Sequence, residues 1–273
     1  MTTHETTATG AGGYLLVGQP SELDRLRLQS LVWEPAGRRL LEEIGDGRGA
    51  RALDVACGVL GWLRVLSEWA GPDGEVTGTD VDRTMLADAD AFATREGLRN
   101  VGLVHDDLFA SELPPGAFDL VHARFAVTPL GRGGEQVDTY VRLARAGGAI
   151  VLEDPDPGSW HFNPPAPALD RLIGLIVEAF LAAGGDWHAS RHHLGLLREA
   201  GIEGNVRAEV VALPPGHPYL ALPLQFATSL EERILALVSA DELADLRERG
   251  EAELREPGRW GTTFTLVQCW GRR

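Results

Sequence analysis

The chain has 273 residues, 44% of them hydrophobic and 24% charged, with a formal net charge of −15. That balance suits a water-soluble globular protein of one large domain, or one domain with an added cap; the acidic excess argues against DNA or RNA as substrate, because phosphate recognition draws on Lys and Arg. No charge-free apolar run is long enough for a transmembrane helix, and two cysteines, Cys57 and Cys269, make neither a disulfide framework nor a metal site.

The opening MTTHETTATGAGG is polar, lacks the apolar stretch of a signal peptide and reads as a disordered lead-in to a cytoplasmic protein. Ser21, with Asp24 three residues on, predicts a helix over 22–31. Pro35 predicts a fresh start and a second helix over 38–44. Ala52, Leu53, Asp54 and Val55 read as a short buried strand. The small residues Ala56, Cys57 and Gly58 then make a turn, and Leu60, Leu63, Leu66 and Trp69 give helical spacing over 60–69. Such a strand–turn–helix brings backbone N–H groups close to a ligand. Cys57 in this turn reads as a small packed residue rather than a nucleophile. The next strand, 75–80, ends in Asp80, 22 positions after Gly58, where a carboxylate can accept from ribose hydroxyls. Two acids framing one glycine turn suggest a nucleoside ligand that carries positive charge.

Asp82 caps a helix over 83–96 that Gly97 ends. Val101 to Val104 alternate as a third strand, followed by Asp106-Asp107-Leu108. A strand over 118–123 carries Asp119, expected to anchor backbone, and His122, expected to be packed core. Arg124 and Phe125 leave it at the C-terminal edge, where open α/β sheets bind ligands. A helix over 136–143, an Ala146-Gly147-Gly148 turn and a strand over 149–152 follow. The segment from Glu153 to Pro165, rich in Pro, acids and aromatics, is expected to be an irregular loop walling an acceptor pocket. In it His161 or Asp154 is a candidate general base, against the alternative of solvated loop acids. Trp160 and Phe162, with the later Phe226, are candidate substrate contacts. Asn163-Pro164-Pro165-Ala166 echoes a motif of amino-methylating DNA enzymes, but it follows the wrong strand and lacks the aromatic.

Helices are predicted over 169–183 and 191–200, with His192 and His193 read as surface residues, and a strand over 206–213. Further helices over 230–238 and 242–254 belong to an inserted cap, and 261–270 alternates as the last strand. The chain reads as a single domain with a core of about 30–154 and 200–273. Cap segments of about 1–45, 155–195 and 214–260 converge over one sheet edge.

Five stretches, LDVACG (53–58), VTGTD (76–80), VHDDLF (104–109), FDLVHARF (118–125) and AGG (146–148), occur in the order and at spacings that resemble class I S-adenosylmethionine-dependent methyltransferases. The first departs from the family pattern, with Ala56 for its first glycine, Leu60 at the third glycine's place and Gly61 one step late. The resemblance implies a Rossmann-like α/β fold: a seven-stranded, mostly parallel sheet with helices on both faces and an antiparallel last strand beside the fifth. It implies S-adenosylmethionine as cofactor and S-adenosylhomocysteine as product. Tyr14, Asp54, Ala56, Gly58, Asp80, Val81, Asp107, Leu108 and Arg124 become the expected cofactor contacts, with Gln29 a further option and Asp106 an alternative to Asp107. No metal is expected.

The leading expectation is methyl transfer to an O, N or C nucleophile of a small molecule, of the kind met in natural product biosynthesis. A cofactor-binding but non-methylating, cyclase-like enzyme is the alternative, and product mass separates the two. A nicotinamide dehydrogenase would need G-x-G-x-x-G, which Ala56, Gly58 and Gly61 match only in part. A non-enzymatic binding module would lack an enclosed acceptor pocket. The expected partner is the small-molecule acceptor, with neither nucleic acid nor membrane; the oligomeric state stays open, a homodimer being one option.

Overall fold

The computed structural model describes residues 20–273, with side chains from Arg25 onward. Tyr14, and the side chains of Ser21 and Asp24, lie outside the described residues. Among the described residues the strands are β1 (Arg51–Val55), β2 (Glu75–Asp80), β3 (Val101–His105), β4 (Phe118–Arg124), β5 (Ala144–Asp156), β6 (His161–Asn163), β7 (Gly204–Glu209), β8 (Ala212–Leu213), β9 (Trp260–Thr262) and β10 (Thr265–Arg272). Seven of them form one sheet in the order β3-β2-β1-β4-β5-β10-β7. The first five pair in parallel, and β10 runs antiparallel to both β5 and β7. This is the Rossmann-like arrangement. A small antiparallel sheet, β6-β9-β8, stands apart.

Strands β1 and β4 are covered on both faces, which is why they read as apolar runs rather than alternating ones. Leu53, Leu120 and Val121 are fully buried there. Gly78 of β2 is a close-approach position. A Cβ on it would lie 2.8 Å from the side chains of both Leu63 and Leu103 and 3.0 Å from Cys57 Sγ. The missing side chain lets helix Leu63–Ala70 and the turn before it settle onto the sheet. Asp119 accepts from Arg51 N at 2.8 Å, tying the start of β1 to β4.

A second core lies over the C-terminal edge of the sheet. Helices Pro167–Ala182, Leu222–Ser229 and Ala240–Leu254 bury Leu169, Leu172, Ile176, Phe226 and Leu246 together with Trp33, Trp187 and Phe264. Gly250 allows the close helix crossing, since a Cβ there would come 3.1 Å from Leu169 and 3.2 Å from Leu224. Glu253 accepts from Ala168 N and Leu169 N at 3.0–3.1 Å, putting a carboxylate on a helix N-terminus.

Several expected elements differ. The two N-terminal helices are one, Pro20–Ile44, with Pro35 inside it. Proline leaves the carbonyl one turn earlier, at Leu31, without its donor; Leu31 is 62% exposed, so water can serve that carbonyl. The helix expected over 60–69 starts only at Leu63, because Gly61 is in a left-handed conformation (φ +28°). The strand expected over 149–152 is longer: β5 runs to Asp156, so Glu153–Asp156 belong to a strand and not to a loop. The strands expected over 206–213 and 261–270 are each divided between the two sheets. Thr263 causes the second break, its N and Oγ1 both pairing with the Val211 backbone at 3.0 Å, which sends Phe264 into the cap core.

Leu120 sits at zero exposure in the central strand. Leu120→Ala is expected to lower the unfolding free energy by about 2–5 kcal/mol, read as a lower urea midpoint at unchanged m-value.

Candidate active site

The C-terminal ends of β1, β2 and β4 open onto a cleft of about 1070 Å³. Its wall includes Asp54, Ala56, Gly58, Gly61, Asp80, Val81, Asp106, Asp107, Leu108 and Arg124, with Leu26 and Gln29 from the long N-terminal helix. The turn after β1 is built from left-handed residues: Ala56 (φ +50°), Gly58 (φ +54°) and Gly61. An alanine there carries strain that glycine would not. The turn is held by Cys57 N donating to Thr79 O at 2.8 Å and Gly58 N donating to Asp80 Oδ2 at 3.0 Å. Asp82 N donates to the other oxygen of Asp80 at 2.9 Å, so this carboxylate is fixed at the end of β2. Burial pushes its pKa up, against the N–H groups of Asp82 and Gly58 that pull it down. The Cys57 thiol is pushed well up, first by burial and then by the charges of Asp54 and Asp80, and stays a protonated wall group. Leu60 is buried against Val59, Met85 and Phe92, so the departure from the usual glycine pattern is absorbed by packing in the wall.

Asp54 is 1% exposed and its two oxygens are already engaged. Oδ2 accepts from Trp62 N at 2.7 Å, and Oδ1 lies 2.7 Å from His122 Nδ1. A Cβ on Gly61 would collide with Oδ2, which is why a glycine stands at that late position. His122 is thus the buried core residue expected, and it meets a carboxylate on each side as well. Arg124 Nη2 donates to Gly61 O at 2.8 Å, while Nη1 is buried with no hydrogen-bond partner. That orphaned donor at the cleft wall fits a carboxylate, and the fixed Asp80 carboxylate fits a pair of hydroxyls. Both features suit an amino-acid-bearing nucleoside such as S-adenosylmethionine. Asp106 and Asp107 both line the cleft, each also accepting from backbone: Glu112 N at 3.1 Å and Phe109 N at 2.9 Å. No cluster of three or more His, Cys, Asp or Glu that could hold a metal occurs among the described residues.

A second cavity, of about 390 Å³, adjoins the cleft and shares Gln29, Phe125 and Pro129 with it. Its other walls include Arg25, Phe180, Trp187, Phe226 and Phe264. The Trp187 ring lies edge-on to Phe180, Phe226 and Phe264, with centroids 5.5–5.7 Å apart. Arg25 donates to Gln29 Oε1 at 3.0 Å and lies over the Phe226 ring at 4.8 Å. Phe125 separates the two cavities in a left-handed conformation (φ +56°), its N–H donating to Glu153 O at 2.7 Å. Strain of this kind is kept where the surroundings over-determine it.

Of the expected acceptor contacts, Phe226 is in this wall. Trp160 is one layer behind, stacked on Trp187 at 5.6 Å, and Phe162 is buried in the cap core beside Gly261; neither lines a cavity. His161 is exposed, with Nε2 3.0 Å from Gly158 O, and touches neither cavity, so the structure gives it no acceptor to deprotonate. Asp154 is also absent from both walls. Its oxygens accept from Val127 N and Thr128 N at 3.3 and 3.0 Å, capping the short helix that carries Pro129 and Leu130 into the cleft. The sequence reading missed Phe180, Trp187 and Phe264 as cavity residues. It also took His193 for a surface group, whereas His193 is fully buried with Nε2 3.3 Å from Asp154 Oδ2.

Two tests follow from this geometry. S-adenosylhomocysteine at about 100 times its dissociation constant is expected to stabilise the protein by about 2.7 kcal/mol. Thermal unfolding with and without it should show that gain lost in Asp80→Ala and in Gly61→Ala. The second concerns pH. Burial pushes Asp154 up to about 7 and His193 down to about 4. Between about pH 4 and 6.5 the folded pair holds one proton on Asp154, and the unfolded pair holds one on histidine, so the two contributions cancel. In Asp154→Asn only His193 remains, neutral when folded, and stability should rise with pH across that window. In His193→Gln only the raised Asp154 remains, and stability should fall as pH rises from about 4 to 7. Urea denaturation at several pH values reads both slopes.

Comparison with known proteins agrees with this geometry. Residues 52–148 match the family described as a methyltransferase domain. Aklanonic acid methyltransferase DauC of Streptomyces sp. (strain C5) is 33% identical over 163 residues, 59% of this chain and 71% of that protein. Demethylmenaquinone methyltransferase of Anoxybacillus flavithermus (strain DSM 21510 / WK1) is 34% identical over 111 residues, 40% of this chain; the chain spans only 47% of that relative's length. Among solved structures, geranyl diphosphate methyltransferase in complex with SAM superposes with a TM-score of 0.54 at 17% identity, covering 99% of both chains. A SAM dependent methyltransferase from Aquifex aeolicus gives 0.52 at 23% identity, covering 71% of this chain and 93% of its own. These two likenesses show the fold. With the ordered turn, the terminal Asp80 and the antiparallel β10, the matches establish that the chain belongs to the class I S-adenosylmethionine-dependent methyltransferases.

Proposed function

We propose that the protein transfers the methyl group of S-adenosylmethionine to an O, N or C nucleophile of a small, largely aromatic acceptor seated in the cavity between Phe125 and Trp187, in specialised metabolism. The observation that carries this is the shared wall of Gln29, Phe125 and Pro129, which puts an aromatic-lined cavity directly beside the cofactor cleft. The names of two relatives support it, since aklanonic acid and demethylmenaquinone are both small molecules.

In this reading Asp80 accepts from the ribose hydroxyls. Asp107 or Asp106 takes the adenine amino group, with Leu108 and Val81 beside the ring. Arg124 Nη1 and the turn at Gly58 hold the methionine end. The cofactor supplies an electrophilic methyl group that needs no activation by the protein. The chain's part is placement: the aromatic walls orient the acceptor's nucleophilic atom toward the cleft and exclude water from the path between the cavities.

The test is incubation with S-adenosylmethionine and a panel of planar phenols, hydroxyquinones and aromatic acids, with products read by mass. A gain of one methyl in place of hydrogen supports methyl transfer; an isomer of the acceptor would support the cyclase-like alternative instead. Trp187→Ala is expected to lower kcat/KM for an accepted compound at least about tenfold, equivalent to about 1.4 kcal/mol of transition-state binding. Affinity for S-adenosylhomocysteine should change less than about threefold in that variant, because Trp187 lines only the second cavity.

A further inference from the structure

His122 lies in the middle of the sheet with no exposure, between a carboxylate on each neighbouring strand. Nδ1 is 2.7 Å from Asp54 Oδ1 and Nε2 is 3.2 Å from Glu153 Oε2. The ring stacks on Trp62, with centroids 3.8 Å apart and planes within 13°. Trp62 N holds the second oxygen of Asp54, and Gln268 Nε2 donates to the second oxygen of Glu153. Asp54 and Glu153 are the charged groups that face the ring; Trp62 and Gln268 add hydrogen bonds and packing without charge.

A neutral imidazole has one N–H and would turn a lone pair toward one of the two carboxylates. It would also leave two negative charges buried without compensation, which is costly. An imidazolium donates to both. Burial works against the charged ring, but the charge and hydrogen bond of Asp54, and then those of Glu153, outweigh it and hold its pKa above the ordinary value. The other end of this chain of contacts is the cofactor cleft. Asp54 lines it, Trp62 N is bound to Asp54, and Gly61 O receives Arg124.

We propose that His122 is a positioning residue for the cofactor: an imidazolium clamped between Asp54 and Glu153, it locks Asp54 and the Gly61–Trp62 turn into the shape that receives the methionine end of S-adenosylmethionine. The inference rests on cofactor use and not on the identity of the acceptor. His122 touches no reacting atom and acts through Asp54 and Trp62.

Titration calorimetry with S-adenosylhomocysteine on the full chain tests it. His122→Phe keeps a ring against Trp62 and removes both donors; His122→Asn keeps one donor if the aromatic variant does not fold. Loss of a charge-assisted buried hydrogen bond predicts binding weakened about tenfold to a hundredfold. A change below about tenfold in a cooperatively folded variant overturns the proposal. Wild-type protein supplies a readout that a purely structural role would not move. With a raised pKa, the imidazolium is present on the acid side and is lost as pH rises through that pKa. Affinity is therefore expected to fall on the alkaline side, as pH rises through a pKa held above the ordinary histidine value, and the variants should lack that limb. Nitrogen NMR of the wild-type imidazole should show both ring nitrogens protonated near neutral pH; a single protonated nitrogen overturns the proposal whatever the variants do. Absence of wild-type binding would instead overturn the cofactor assignment, and is read separately in the same titration.

Discussion

A carboxylate without water must be paired, and the placement of Asp54 under the glycine turn sets that demand at the centre of this fold. The requirement reaches outward in both directions. Across the sheet it is met by His122, which in turn requires Glu153 on β5 and Gln268 on β10. Along the chain it is met by Trp62 N, which requires the backbone at Gly61 to fold back with no side chain in the way. Four adjacent strands of the sheet and the first turn of the β1–helix connection are thus tied to one buried charge. Substituting His122 alone leaves two desolvated carboxylates with only the neutral donors Trp62 N and Gln268 Nε2.

The long N-terminal helix joins this charged centre to the cap. Leu26 and Gln29 face the cofactor cleft, Arg25 and Gln29 the aromatic cavity, and Trp33 is buried in the cap core, where Nε1 donates to the Tyr219 hydroxyl at 3.2 Å. Movement of this helix would open both cavities together. The cap core itself is aromatic-rich, with Trp160 and Trp187 stacked on each other and each in contact with Phe226 and Phe264, so the cavity walls are backed by other rings rather than by loops.

The strands around the cleft were legible because they are short, apolar and separated by small residues or capping acids. Asp82 and Gly97 mark their helix as the local rules require. The glycine turn, and the places of Asp80 and Phe226 on cavity walls, could be read because motif spacing or residue type carries them. What was not legible depends on long-range register. Whether Pro35 breaks a helix depends on whether water reaches the carbonyl one turn back, which sequence does not state. His192 and His193 are adjacent and chemically identical, and only the packing of their helix on the sheet decides that the second is inside. Asp154 has the composition of a catalytic acid, but β5 continues through it and turns it toward the backbone of Val127 and Thr128. Trp187 follows Asp186 in what reads as a plain loop; its role comes from Phe180, Phe226 and Phe264, distant in sequence, meeting around it.

Phe125, strained at the end of β4 and common to both cavities, has a consequence for how such an enzyme can diversify. If the two cavities hold donor and acceptor as proposed, a change at that residue, or at Gln29 or Pro129, alters recognition of both at once, so acceptor range cannot drift there without disturbing the cofactor. The far wall of Phe180, Trp187, Phe226 and Phe264 is free of that coupling. Laboratory evolution toward new acceptors should find its permissive positions on that side, with the partition held constant.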